Sequence, residues 1–138
     1  MIILDTNVLS ETMRVTPDQR VAAWLIAQPR NSLWTTSVVE AELRFGVALL
    51  SDGRRKRSLQ ELLDAMLGDL EGRVLPFDSK AATAYAGIAA QRRQTGKPLA
   101  LLDGLIAATA RSLNATIATR NVADFTGCGV ELVDPWSA

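Results

Sequence analysis

Apolar residues recur along this chain in two rhythms, short runs of three or four positions and longer stretches spaced at three and four. The first run, Ile2 to Leu4, predicts a strand that stops at the polar triplet Asp5-Thr6-Asn7. Thr16-Pro17-Asp18 predicts a helix start, with Thr16 as N-cap and Pro17 at the first helical position, and Val21, Trp24 and Leu25 on the buried face. Leu33 to Thr36 predicts a second strand. Ser37-Val38-Val39-Glu40 has the form of a capping box opening a helix to about Leu50. After a turn at Ser51-Asp52-Gly53, the residues Leu59, Leu62, Leu63, Met66, Leu67 and Leu70 fall at helical spacing. Val74 to Phe77 predicts a third strand. Helices follow at about Ser79 to Thr95 and Asp103 to Leu113, separated by Gly96-Lys97-Pro98, and the last strands are Thr116 to Ala118 and Val130 to Val133. Strands separated by helices require crossovers, so the pattern predicts an α/β fold on a parallel sheet, in one domain over residues 1–138.

Ligands of open α/β sheets bind beyond the carboxyl ends of the strands. Asp5 directly follows the first strand, and Asp124 follows the strand ending at Ala118 by six residues. Two acids on helices share stripes with apolar residues: Glu42 with Val38, Phe45 and Leu49, and Asp103 with Ile106, Ala107 and Ala110. Glu40, by contrast, has Arg44 at i+4, the arrangement of a solvent-facing ion pair. Each acid has a plainer reading. Asp5 starts a turn or helix, Asp103 caps one, Asp124 is a loop residue, and Glu42 pairs with an arginine. Taken as a set, they repel: two carboxylates ~4 Å apart cost ~4 kcal/mol at an effective dielectric of ~20. A divalent cation relieves that, and oxygen donors alone favour Mg²⁺ or Mn²⁺.

Composition narrows the chemistry further. There is no histidine, which removes Ser-His-Asp and Cys-His hydrolases and histidine-containing zinc sites. Cys128 is the only cysteine, so no internal disulfide forms and a cytoplasmic location is the natural expectation. Fifteen basic and fifteen acidic residues give zero net charge, so any nucleic-acid affinity must be local. Arg54-Arg55-Lys56-Arg57 is the densest basic run, followed by Arg92, Arg93 and Lys97. No apolar run is long enough for a membrane span, and MIILDTN reads as a strand, not a signal peptide. A receiver domain requires an acid pair after the first strand and a lysine after the last. A haloacid-dehalogenase phosphatase requires a second Asp where this chain has Asn7.

Four blocks, MIILDTNVLSE, TTSVVEAELRFGVALL, LDGLIAATA and TIATRNVADF, together resemble PIN-domain ribonucleases, specifically the VapC/FitB-like toxins of bacterial toxin–antitoxin pairs. The resemblance spans essentially the whole chain, and the ending VELVDPW shares it. It implies a three-layer α/β/α sandwich around about five parallel strands. It implies Asp5, Glu42, Asp103 and Asp124 as metal-binding acids, with Asp5 and Asp103 the first choices for direct ligands. Thr6, Asn7, Ser37, Thr119 and Asn121 match supporting polar positions. It also implies Mg²⁺- or Mn²⁺-dependent hydrolysis of RNA to 5′-phosphate and 3′-hydroxyl ends, a homodimer, and a cognate antitoxin bearing a DNA-binding domain. The alternative is a non-catalytic RNA- or protein-binding PIN module.

Overall fold

The computed structural model describes residues 1–138. Its strands are β1 (Ile2–Leu4), β2 (Leu33–Thr36), β3 (Val74–Leu75), β4 (Thr116–Ala118) and β5 (Glu131–Val133). They form one sheet in the order β3-β2-β1-β4-β5, with every pair parallel. Ile2 sits opposite both Leu33 and Thr116, so β1 is the central strand. Adjacent residues of a strand face opposite sides of a sheet. Ile3 and Leu4, Thr35 and Thr36, and Ile117 and Ala118 are all buried, so both faces are covered.

Seven helices provide the cover: α1 (Thr6–Thr12), α2 (Gln19–Ala27), α3 (Ser37–Ala48), α4 (Arg54–Asp69), α5 (Ser79–Gln94), α6 (Leu101–Ser112) and α7 (Val122–Phe125). This is the expected α/β/α sandwich. One apolar core runs from Ile3 to Trp136 and includes Val39, Leu63, Ile88, Ile106 and Phe125. No helix is long and apolar enough to cross a membrane.

Several element boundaries differ from the sequence expectation, each for a local reason. The second helix is capped by Asp18, not Thr16, because the Asp18 carboxylate accepts from the Arg20 amide at 2.8 Å. The third is capped by Thr36, whose hydroxyl accepts from the Val39 amide at 3.1 Å. Ser37 is therefore the first helical residue, and no capping box forms. Glu40 pairs with Arg44 at 2.7 Å instead. β3 ends at Leu75 because Pro76 has no amide to continue the ladder. Helices α1 and α7 are additions that periodicity did not reveal.

α5 and α6 approach closely at Gly104. A Cβ there would lie 2.9 Å from the Tyr85 ring and 3.3 Å from Leu99. Gly104 thereby sets the seat of the helix that carries its neighbour Asp103.

Candidate active site

The strand order changes direction beside β1: β2 and β3 lie to one side, β4 and β5 to the other. Such a switch point opens a crevice at the carboxyl ends of the flanking strands. Asp5 follows β1 and Thr119 follows β4 at this crevice. Their backbones are already tied, since the Asp5 amide donates to the Ala118 carbonyl at 3.0 Å.

Asp5 is the N-cap of α1, so its plainer role as a helix starter is real, but it is also the hub of the site. One carboxylate oxygen accepts from the Thr6 amide at 2.8 Å. The other accepts from the Thr119 hydroxyl at 2.8 Å and the Asn7 side-chain amide at 3.4 Å. Thr119 is fully buried and accepts in turn from the Asn121 amide at 3.0 Å and from Asn7 at 3.3 Å. The Thr6 hydroxyl donates to Glu42 at 2.9 Å, linking the first acid to the second across 36 residues of sequence. The Asp103 side chain makes no hydrogen bond. Asp103 is the third residue of α6, not a cap, and its neighbours Ile106, Ala107 and Ala110 are wholly buried.

Asp5, Glu42 and Asp103 line one polar pocket of about 510 Å³, together with Thr6, Asn7 and Asn121. Two expected residues stand apart. Ser37 is exposed at the start of α3 and does not line the pocket, because the chain turns into the helix one residue earlier, at Thr36. Asp124 is exposed on α7 and lies outside the pocket wall, although its charge still acts on Asp5 and Asp103. Glu42 reaches the pocket, but of its stripe only Val38 is buried in the core. Phe45 and Leu49 are 65% and 69% exposed, while Val39, Leu43 and Val47 face the core.

Burial pushes the Asp5 carboxyl above its ordinary value, against the opposing bonds from Thr119 and Thr6 and with the added repulsion of Asp124. Glu42 is raised by burial, opposed by Thr6 and reinforced by Asp5. Asp103 is pushed up to about 6, first by desolvation and then by the charges of Asp5, Asp124 and Glu42. No arginine or lysine pairs with any of these three acids. This is the electrostatic state of a site suited to a hard cation. The donors fit Mg²⁺ or Mn²⁺ in kind. In arrangement they ring an open cleft, and no three acids are close enough to clasp one ion.

The pocket has further lining side chains that the sequence pattern did not single out. Ser10, Glu11, Arg14, Arg120 and Trp136 also line the pocket. Asn7, Ser10 and Arg14 are at helical spacing, a signal visible only once α1 is recognised. Glu11 is buried. It accepts from the Asp18 amide at 2.9 Å and from Arg14, so it anchors the start of α2. Arg92, expected among the RNA-facing cations, is committed to the fold. Its guanidinium donates to the carbonyls of Lys97 at 2.8 Å, Asp124 at 3.3 Å and Thr126 at 2.8 Å. It thus staples the loop before Asp103 to the turn that carries Asp124.

A family model described as PIN domain matches residues 2–125. The chain belongs to the PIN-domain family. Among PIN-domain proteins it is 42% identical over 137 residues to the VapC ribonuclease Y4jK of Sinorhizobium fredii, covering 99% of this chain and 98% of that one. It is 43% identical over 137 residues to Toxin FitB of Neisseria gonorrhoeae, covering 99% of each. The crystal structure of FitAcB from the same species superposes with a TM-score of 0.94 at 42% identity, over the whole of both chains. VapBC2 from Rickettsia felis, bound to a DNA fragment from its promoter, superposes with a TM-score of 0.83 at 29% identity, covering 96% of this chain and 98% of that one.

Proposed function

We propose that this PIN domain is a metal-dependent endoribonuclease and the toxin of a toxin–antitoxin pair. The observation that carries the reading is the convergence of Asp5, Glu42 and Asp103, three acids with no basic partner, on one pocket at the sheet's switch point. The names of its relatives, a VapC ribonuclease and a toxin, supply the activity class.

Asp5, Asp103 and Glu42 ring the cleft that would hold Mg²⁺ or Mn²⁺, not all three directly on one ion, with Asp124 contributing charge from the margin. Such a cation, when bound, acidifies water and polarises the phosphodiester. The chain's own work is orientation. Thr119 and Asn7 fix the Asp5 carboxylate, and Thr6 fixes Asp5 and Glu42 at once. Asn121, tethered through its amide to Thr119, presents its side chain at the pocket.

In this reading the antitoxin brings the DNA-binding domain, since the Rickettsia relative was crystallised on promoter DNA as a two-component complex. A groove lined by apolar Met13, Val15, Leu59 and Leu62 and by polar Thr16, Arg55 and Ser58 adjoins the acid pocket through Ser10 and Arg14 and suits that partner. Exposed Phe45 and Leu49 on α3, with Leu101 and Leu102 on α6, suit a homodimer contact, and the cytoplasm is the expected location.

The test is incubation of the purified protein with structured RNAs in Mg²⁺, Mn²⁺ or EDTA, beside Asp5→Asn. Cleavage to 5′-phosphate ends that requires metal and Asp5 is the expected result. Binding without cleavage in either metal would favour the non-catalytic module.

A further inference from the structure

A pocket walled by acids repels a polyanion. Asp5, Glu42 and Asp103 carry three formal negative charges, and one divalent cation would leave an excess of one. RNA bound there needs a cation from the protein at the rim. Two arginines line the pocket, Arg14 and Arg120. Arg14 is already committed, with one guanidinium nitrogen 3.3 and 3.2 Å from the two Glu11 carboxylate oxygens. Arg120 has no carboxylate partner and its side chain makes no hydrogen bond. Its guanidinium carbon lies 5.0 Å from the centroid of the Trp136 ring. Contact with an aromatic ring restrains the guanidinium and is compatible with its N–H donors binding an anion.

Both ends of this arrangement are anchored. Trp136 is buried, and its amide donates to the Asp134 carboxylate at 2.9 Å. The Arg120 amide donates to the Asn7 side-chain oxygen at 3.1 Å, and Asn7 also bonds Asp5 and Thr119. The network that orients the central acid therefore also fixes the main chain of Arg120. We propose that Arg120, braced on Trp136, binds a backbone phosphate of the RNA and sets its register against the acid pocket. The inference rests on the ribonuclease reading and adds to it the residue that holds the substrate. Guanidinium suits the task because its planar fork matches two phosphate oxygens.

The experiment measures binding of a fluorescent single-stranded RNA in Mg²⁺ across a range of salt. It uses an Asp103→Asn background to prevent cleavage. The Asp103 side chain makes no hydrogen bond, so its replacement leaves the network around Arg120 intact. Adding Arg120→Ala should weaken binding roughly tenfold at low salt. It should also flatten the slope of log affinity against log salt by about 0.7, one phosphate contact on a single strand. Arg120→Lys should keep the slope and recover part of the affinity. In the otherwise wild-type enzyme, Arg120→Ala should raise KM more than it lowers kcat. An unchanged salt slope and affinity, with only a lower Tm, would make Arg120 a latch for the C-terminal segment and overturn the proposal. Failure of the wild type to cleave any RNA would instead strike the ribonuclease reading, so the two failures are distinguishable.

Discussion

Replacing Asp103 by Asn should stabilise the metal-free protein and remove its stabilisation by Mg²⁺. The Asp103 carboxyl rises from an ordinary 3.8 to about 6 on folding, driven by desolvation and by three neighbouring acids. A raised pKa means the folded chain holds this proton more tightly than the unfolded one. Stability therefore falls as pH rises from about 4 to 6, and the full penalty applies above 6. Two pKa units correspond to at most ~3 kcal/mol. The side chain is partly exposed, and solvent screening brings the expected figure to ~1 kcal/mol. Asn keeps the shape and removes the charge, so Tm in EDTA at pH 8 should rise by about 4 °C for a chain of this length. At pH 5, where wild-type Asp103 is already mostly protonated, the gain should shrink. Mg²⁺ should raise the wild-type Tm in proportion to its binding and move the variant little. Thermal unfolding followed by circular dichroism at both pH values, with and without Mg²⁺, reads all of this. A lower Tm for Asp103→Asn in EDTA at pH 8 would refute the repulsion account.

Four further outcomes follow from particular contacts. Thr119→Val removes a buried hydroxyl that holds Asp5, and should cost ~1–3 kcal/mol by denaturant unfolding. Because that bond lowers the Asp5 pKa, the loss should be larger at pH 8 than at pH 5; equal losses would count against it. Gly104→Ala forces a methyl group to 2.9 Å from Tyr85, and should displace α6 and cut cleavage more than stability, in a paired measurement of kcat/KM and Tm. Arg92→Met should cost ~1–3 kcal/mol and lower cleavage without changing net RNA affinity, because it frees the turn that carries Asp124. RNA cleavage should fall as pH drops through about 6, where a proton on Asp103 competes with the cation; a flat profile from pH 7 to 5 would argue that Asp103 is not a ligand.

The sheet was legible because its strands are short apolar runs ended by polar residues, and β1, β2 and β4 begin and end where that pattern places them. Periodicity missed α1 because Thr6–Thr12 opens with Thr and Asn, and buries only Val8, Leu9 and Glu11. The helix is held by Asp5 at its cap and by tertiary packing, neither of which shows in a window of sequence. Asp103 was readable from its apolar stripe. Glu42 was only partly legible, since on its stripe Val38 is core while Phe45 and Leu49 form an exposed apolar face. Arg120 and Trp136 could not be found by spacing, because a loop residue and a residue after the last strand meet only through the fold.

The position of β1 has a consequence for how the protein comes into being. The strand at the middle of the sheet is made before its neighbours, and its Asp5 waits for Thr119, 114 residues later. At translation speeds of ~5–20 residues per second, that wait is roughly 5–25 s. Until β4 emerges, β1 has an unpaired edge and the Asp5 carboxylate lacks the hydroxyl that orients it. The nascent chain thus cannot assemble the acid pocket while most of it is still being synthesised. The geometry of the central acid is completed only after β4, by a residue far along the chain from the strand that acid follows.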